Sequence, residues 1–185
     1  MFDLFDLSCL RTGIMAGSLC PVELMKQVEE KMFMKVTSVY GLTETSPGMT
    51  HSRIDDPAEV RYTTVGHDFE FTEVKVIDPE TGEECPVGVQ GEMCNRGYNT
   101  MKGYYKNEEA TKAVLDEEGW LHTGDMGTMT PDGTIYIKGR SKTMILTSNG
   151  QNIYPEEIEA KLNNMPFVME SLVVERDGKL VALVC

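Results

Sequence analysis

The sequence predicts an α+β fold: the tail of an α/β layer, then a distorted antiparallel β-barrel, then part of a small α+β domain. Three observations support this order. A helix pattern runs into an apolar strand near the N-terminus, strand patterns with tight-turn signals fill the middle, and a helix lies between hairpins near the C-terminus. We expect the boundaries at residues 1–53, 54–140 and 141–185.

The first region is predicted from a helix and a strand. Pro21 suits the first turn of a helix, and Leu24, Val28 and Met32 recur every four residues to form one apolar face. Residues 34–40 then have the apolar, β-branched character of a buried strand.

The second region alternates strand patterns with turn signals. Val74 and Val76 alternate with charged residues, residues 78–82 mark a turn, and residues 89–95 resemble another strand. Asn107 is a candidate N-cap for the one helix that interrupts them. This pattern predicts an antiparallel sheet.

Three dipeptides predict hairpins in the remainder of the chain. They are Asp132-Gly133, Asn149-Gly150 and Asp177-Gly178. Between the second and the third, Pro155 begins another predicted helix, because proline is favoured at the first helical position.

Composition narrows the possible functions. The formal charge of −13 disfavours nucleic acid as a partner, because that affinity depends on Lys and Arg neutralising phosphates. No apolar run approaches the ~20 residues that span a bilayer, so we expect no transmembrane segment. The first twenty residues also lack the pattern of a signal peptide, so we expect a cytoplasmic protein.

Cysteine and histidine positions indicate neither a disulfide framework nor a metal site. The five cysteines are scattered singly, and an odd number of them favours buried free thiols. The three histidines, at positions 51, 67 and 122, have no metal-ligand spacing, and we assign them no catalytic role.

Four motifs occur in order along the chain. They are YGLTETSP at 40–47, GEMCNRGYNTMKGYY at 91–105, GWLHTGDMG at 119–127 and GRSKTMILTSNGQNIYPEEIE at 139–159. Together they resemble the AMP-forming acyl-CoA synthetases, and the last is most similar to bacterial long-chain fatty-acid CoA ligases. The resemblance implies that ATP, Mg²⁺ and CoA act on a carboxylic acid, which becomes an acyl-adenylate and then a thioester.

The resemblance gives roles to the first motif. Tyr40 would stack on adenine, Gly41 would let the backbone approach, Thr43 would bond the α-phosphate and Glu44 would help to hold Mg²⁺. Thr43 and Glu44 are therefore the catalytic candidates. The residue types suit these roles, since Mg²⁺ prefers a carboxylate together with phosphate oxygens. The alternative is a polar turn in which hydroxyls bond their own backbone.

The later motifs add three more candidates by resemblance. Asp125 would accept hydrogen bonds from the ribose hydroxyls, and Arg140 would also reach the ribose. Lys142 would lie at the hinge about which the C-terminal domain swivels. The alternatives are a turn aspartate and a surface cation at a domain edge.

Two glycine-containing segments complete the predicted site. Gly17, Ser18 and Leu19 occupy the place of a segment that lines the adenine pocket in the family. Gly150 would lie along the channel for the pantetheine arm of CoA, because a residue without Cβ leaves room beside the backbone. An Asn-Gly turn alone also explains Gly150.

The resemblance also implies two parts that this sequence lacks. The loop that wraps the β- and γ-phosphates should lie before residue 1, and the adenylation lysine should lie beyond Cys185. We therefore expect a fragment of an acyl-CoA ligase that binds ATP or acyl-AMP weakly and does not turn over by itself.

Two other functions remain open. An adenylation domain feeding a carrier protein is the rival within the superfamily, although SNGQNIYPEEIE favours the CoA ligase and makes a carrier protein the less expected partner. A nucleotide-binding module without catalysis is the other. The presence of Thr43, Glu44, Asp125 and Arg140 favours an enzyme.

Overall fold

The computed structural model describes residues 4–18, 20–146, 152–176 and 178–185. It has the predicted mixed α+β character, with helices packed beside mainly antiparallel sheets. Within these ranges no helix is long and apolar enough to cross a membrane.

The N-terminal sheet has four strands in the order β1-β2-β3-β4. β1 and β2 are parallel, and the other neighbours are antiparallel. Helix α1 packs against β2, and α2 lies between β3 and β4 in the chain. The elements are β1 (Thr12–Met15), α1 (Val22–Met32), β2 (Lys35–Tyr40), β3 (Thr50–His51), α2 (Ala58–Thr63) and β4 (His67–Asp68).

The central sheet has four antiparallel strands in the order β5-β6-β7-β8. The elements are β5 (Thr72–Ile77), β6 (Gly91–Gly97), α3 (Glu108–Lys112), β7 (Leu121–Met129) and β8 (Ile135–Arg140). The predicted antiparallel sheet is present, but it is not a closed barrel. In the described ranges β5 and β8 are its two edges and do not pair with each other.

The core joins the first two sheets. Met49, Val76, Met93 and Ile135 are each at most 5% exposed and pack together, with Tyr40 and Leu42 against them. A bridge between Gly66 and Ile135 ties the edge strand β8 to the N-terminal sheet. This packing sets the C-terminal end of β2 beside β7 and β8.

The C-terminal part contains two hairpins and a helix. These are β9 (Ile145–Leu146), β10 (Asn152–Ile153), α4 (Pro155–Asn163), β11 (Ser171–Arg176) and β12 (Lys179–Val184). Pro155 begins α4 as predicted. Arg176 pairs with Lys179, which confirms a two-residue connection there. β9 and β10 pair as predicted, while Asn149-Gly150 lies outside the described residues.

Two local predictions were wrong in detail. In α1 the buried residue is Met25, whereas Leu24 is 46% exposed, because the helix turns Glu29 rather than Leu24 towards the interior. The loop at Asp132-Gly133 is five residues long. The Asp132 carboxylate accepts from the hydroxyls of Thr130 and Thr134, and these bonds hold the wider loop.

Candidate functional site

The loop at 41–48 leaves β2 and folds back on itself. The Met49 N–H donates to the Tyr40 carbonyl at 2.9 Å, which closes the loop at its base. A Cβ on Gly41 would lie 2.1 Å from the Pro47 carbonyl oxygen. Glycine is therefore required there by the loop's own backbone, and close approach of a ligand is not needed to explain it.

A short 3-10 turn at Thr43–Thr45 separates the hydroxyls of this loop into two groups. Thr45 is fully buried, and its hydroxyl bonds both the N–H and the carbonyl of Leu42. That hydroxyl is structural, as expected of a polar turn. Thr43 is exposed, so its hydroxyl remains accessible to a ligand.

Glu44 is held by the segment that follows β6 in the chain. Its Oε1 accepts from the Tyr104 hydroxyl at 2.7 Å, and its carbonyl accepts from the Met101 N–H at 2.8 Å. This bond to Glu44 raises the pKa of Tyr104. A carboxylate offers about four acceptor positions, so one carboxylate with an accepted bond still fits a Mg²⁺ ion that takes its other ligands from phosphate and water.

Asp125 lies at the centre of a hydrogen-bonded group of polar side chains. It lies on β7 directly opposite Arg140 on β8 and is 6% exposed. Its Oδ2 accepts from the Tyr40 hydroxyl at 2.5 Å, and its Oδ1 accepts from Arg140 Nε at 3.1 Å. Residues 40, 125 and 140 are thus joined although they come from three different strands.

Burial and exposure determine which donors and acceptors this hydrogen-bonded set of three side chains offers. Burial, together with the charge of Asp125 and its hydrogen bond, raises the pKa of Tyr40 well above the usual tyrosine value. The phenol is therefore a neutral donor at physiological pH. Arg140 is 63% exposed, so its guanidinium keeps donors free. The Asp125 carboxylate also keeps acceptor positions for vicinal hydroxyls such as those of ribose.

Backbone contacts fix the position of Asp125. The Thr123 hydroxyl donates to the Met93 carbonyl at 2.7 Å and accepts from the Asp125 N–H at 3.1 Å. The Gly124 N–H donates to Glu92 Oε1 at 2.8 Å. Strand β6 therefore orients the segment of β7 that carries Asp125.

A partly buried ion pair fixes the strand that carries Tyr40. Arg61 is 4% exposed, bonds Glu29, and also donates to the Val36 carbonyl at 2.6 Å. Glu29 accepts in turn from the Val36 N–H at 2.8 Å and from Tyr62. Burial opposes ionisation of Glu29, but these hydrogen bonds outweigh it and hold its pKa below the usual value.

The other predicted residues are less closely connected. Gly17 and Ser18 are exposed and follow β1. Because β1 pairs in parallel with β2, they lie at the same end of the sheet as Tyr40, the last residue of β2. Leu19 and Gly150 lie outside the described residues. Lys142 is exposed between two tethered neighbours: Ser141 bonds the Gly124 carbonyl, and Thr143 bonds Glu156.

Sequence reasoning missed two groups near the site. Tyr104, which bonds Glu44, has no role in the sequence prediction beyond its place in a motif. His122 was left without a role, yet its Nδ1 lies 3.1 Å from Glu92 Oε2 and 3.7 Å from Cys94 Sγ. The spacing of Glu92 and Cys94 on one strand was a usable signal, because residues two apart share a face.

Comparison with known proteins places these features in one family. The family model described as AMP-binding enzyme matches residues 3–105. YngI of Bacillus subtilis (strain 168), provisionally named an acyl-CoA synthetase, is 50% identical over 94% of this chain and 32% of its own length. The medium-chain acyl-CoA ligase ACSF2, mitochondrial, of Danio rerio is 41% identical over 98% of this chain and 30% of its own length.

A solved structure of an ATP-bound protein has a similar fold. ATP-bound MatB from Rhodopseudomonas palustris superposes with a TM-score of 0.80 at 33% identity, over 92% of this chain and 34% of that one. The chain thus spans about a third of the length of the proteins it matches.

Proposed function

Since the chain belongs to the AMP-binding enzyme family, we propose that it forms the nucleotide-holding part of an AMP-forming acyl-CoA ligase. In this proposal a carboxylate oxygen attacks the α-phosphorus of ATP and pyrophosphate leaves. The CoA thiol then attacks the acyl carbonyl, AMP leaves, and the thiol proton passes to solvent.

One observation carries the proposal, namely the hydrogen-bonded set of Tyr40, Asp125 and Arg140. A buried carboxylate that already accepts two bonds and keeps open positions is suited to accept from two ribose hydroxyls. A structural turn aspartate would not need a half-buried tyrosine donor from another sheet.

Thr43 and Glu44 supply the phosphate end of the proposed site. The exposed Thr43 hydroxyl can donate to an α-phosphate oxygen, and Glu44 can share in holding Mg²⁺. The bound ion would neutralise charge on the phosphates during the attack. Tyr104, which donates to Glu44, is suited to keep that carboxylate turned in one direction.

The proposal also includes the chain length of the carboxylic acid substrate. We propose a long-chain fatty acid, on the similarity of residues 139–159 to bacterial long-chain ligases. The Danio rerio relative is named a medium-chain ligase, which favours a shorter chain. A panel from acetate to palmitate separates the two, since the preferred acid gives the highest kcat/KM.

We also propose that residues 1–185 do not turn over alone. In the described part of the site the cation that bonds these residues is Arg140, which is already paired with Asp125. Charge that develops on the phosphates would have few positive partners, so stabilisation of the transition state would be small. Substantial carboxylate-dependent exchange of pyrophosphate into ATP by this chain would contradict this.

The test measures AMP release and acyl-CoA formation by the natural polypeptide that contains this chain. We expect both products to require carboxylate and CoA, and Asp125→Asn to lower kcat/KM for ATP by about ten- to a hundred-fold, because charge-assisted hydrogen bonds contribute about 1.5–3 kcal/mol. Glu108→Gln, on the exposed face of α3, is the matched control and should leave kcat/KM unchanged.

Three outcomes would overturn this proposal. Nucleotide binding without AMP release would indicate a binding module. Acyl transfer to a carrier protein with no free thioester would indicate a carrier-fed adenylation domain. An unchanged kcat/KM in Asp125→Asn would remove the role given to the ribose-facing carboxylate.

A further inference from the structure

Three side chains with metal-binding atoms face one another across β6 and β7. They are Glu92 and Cys94, two apart on β6, and His122, which pairs with Cys94 on β7. We propose that Glu92, Cys94 and His122 form a binding site for a borderline-soft divalent transition ion, with Zn²⁺ the best match. The site is separate from the proposed Mg²⁺ position at Glu44 and does not depend on nucleotide.

The spacing of the ligand atoms fits one ion. In a tetrahedral zinc site, Zn–S of about 2.3 Å and Zn–N of about 2.0–2.1 Å place sulfur and nitrogen about 3.6 Å apart, and nitrogen and oxygen about 3.4 Å apart. Here Cys94 Sγ lies 3.7 Å and Glu92 Oε2 lies 3.1 Å from His122 Nδ1. All three ligand atoms lie within 4.8 Å of one another.

Two contacts around the ligands favour binding. Glu92 Oε1 accepts from the Gly124 N–H at 2.8 Å, which fixes the carboxylate and leaves Oε2 to coordinate. His122 Nε2 faces Asp116 Oδ2 at 3.8 Å. A ligating histidine usually turns its other ring nitrogen towards a carboxylate, which favours the tautomer that coordinates through Nδ1.

The ligand types and their exposure define the ion. A thiolate, an imidazole and a carboxylate together select Zn²⁺ or Co²⁺ over Mg²⁺ and Ca²⁺, which prefer oxygen alone. Cys94 is fully buried, whereas the His122 side chain is 32% exposed and offers an entry path. Coordination forms the Sγ–metal bond as the thiol proton leaves to solvent, and the fourth position stays open for water.

The competing explanation is a set of ordinary hydrogen bonds. His122 Nδ1–H would donate to Glu92, and Cys94 would simply fill the small apolar cluster that it forms with Ile77 and Trp120. That arrangement needs no ion. The two explanations therefore differ in whether the isolated chain takes up a metal with a sulfur ligand.

The experiment titrates Co²⁺ into residues 1–185 under reducing conditions and records the absorption spectrum. We expect one equivalent to give the visible bands of tetrahedral Co²⁺ and a near-ultraviolet thiolate-to-Co²⁺ band, and Zn²⁺ to displace both. Cys94→Ala should abolish the thiolate band and His122→Gln should weaken binding at least ten-fold. Cys85→Ala, which removes another half-buried thiol, should change neither.

A melting experiment keeps the test decisive if Cys94→Ala folds poorly. Because an ion that binds only the native state raises Tm by mass action, Zn²⁺ should raise Tm for the wild type and for Cys85→Ala but not for His122→Gln. An absent tetrahedral spectrum, or a spectrum and a Zn²⁺-dependent Tm that both survive His122→Gln, would overturn the proposal.

Discussion

Removing the Tyr40 hydroxyl tests the hydrogen-bonded set of Tyr40, Asp125 and Arg140 most simply. In Tyr40→Phe the ring stays, while the 2.5 Å hydrogen bond to Asp125 is lost. Asp125 is 6% exposed, and the phenyl ring of Tyr40→Phe still covers the Tyr40 side of the carboxylate, so we expect water to replace the lost donor only in part. The remaining partner, Arg140, has a side chain that is 63% exposed, so its bond to Asp125 is open to solvent.

The expected cost follows from that bond alone. A buried hydrogen bond to a charged group contributes about 1.5–3 kcal/mol to the free energy of unfolding. For a chain of this length each kcal/mol lowers Tm by about 2–4 °C, so Tyr40→Phe should melt about 3–12 °C lower. Tyr136→Phe, at a half-buried tyrosine on β8, is the matched control and should melt within about 2 °C of wild type.

The dependence of the free energy of unfolding on alkaline pH gives a second test of the Tyr40–Asp125 hydrogen bond. Burial and Asp125 raise the folded-state pKa of Tyr40, so the stability that its neutral phenol supplies is fully present below the unfolded value of about 10. That stability is lost as pH rises above about 10, with a slope of about 1.4 kcal/mol per pH unit. Tyr40→Phe should lack this part of the slope.

Urea unfolding from pH 7 to 11 measures both effects. A double-mutant cycle with Asp125→Asn should give a coupling free energy of at least about 1 kcal/mol between the two positions, since they contact directly. If Tyr40→Phe were as stable as wild type and kept the full alkaline slope, the hydrogen bond would not be a structural link between β2 and β7.

Three further predictions concern the elements that support the site. Arg61→Ala leaves the partly buried Glu29 without its charge partner and should lower the free energy of unfolding in urea by up to about 3 kcal/mol, whereas Lys112→Ala, in an exposed pair, should not move the midpoint. Gly41→Ala sets a Cβ against the Pro47 carbonyl and should cost more stability in the same assay than Gly82→Ala, where nothing lies within 4 Å and only the positive φ of +74° opposes a side chain. Because the folded-state pKa of Glu29 is lowered, its stability is present above the unfolded value of about 4.3 and is lost as pH falls below it; Glu29→Gln should flatten that acid limb in thermal melts.

Local signals allowed most elements to be predicted from the sequence. Asn107 accepts from the Ala110 N–H at the start of α3, and Pro155 is the first residue of α4, because caps act within a few residues. The dipeptide Asp132-Gly133 predicts the hairpin but not the length of its loop. That length depends on bonds between Asp132 and two threonine hydroxyls, which a dipeptide rule does not include.

Long-range packing explains what the sequence could not supply. Motif resemblance put Tyr40, Asp125 and Arg140 in one site, but assigned Tyr40 a stacking role and gave no reason to expect its hydroxyl on Asp125. That contact depends on how the core seats β2 against β7. Closure of the central sheet likewise depends on whether its edge strands meet, and β5 and β8 do not pair in the part of the chain that is described.

The proposed function depends above all on the Asp125 carboxylate accepting from the ribose hydroxyls of ATP. The decisive experiment compares ATP with 2′,3′-dideoxy-ATP in the natural polypeptide, for wild type and Asp125→Asn, by kcat/KM for AMP release. We expect wild type to prefer ATP by at least about ten-fold and this preference largely to disappear in Asp125→Asn. An equal preference in both proteins would mean that Asp125 does not bind the ribose.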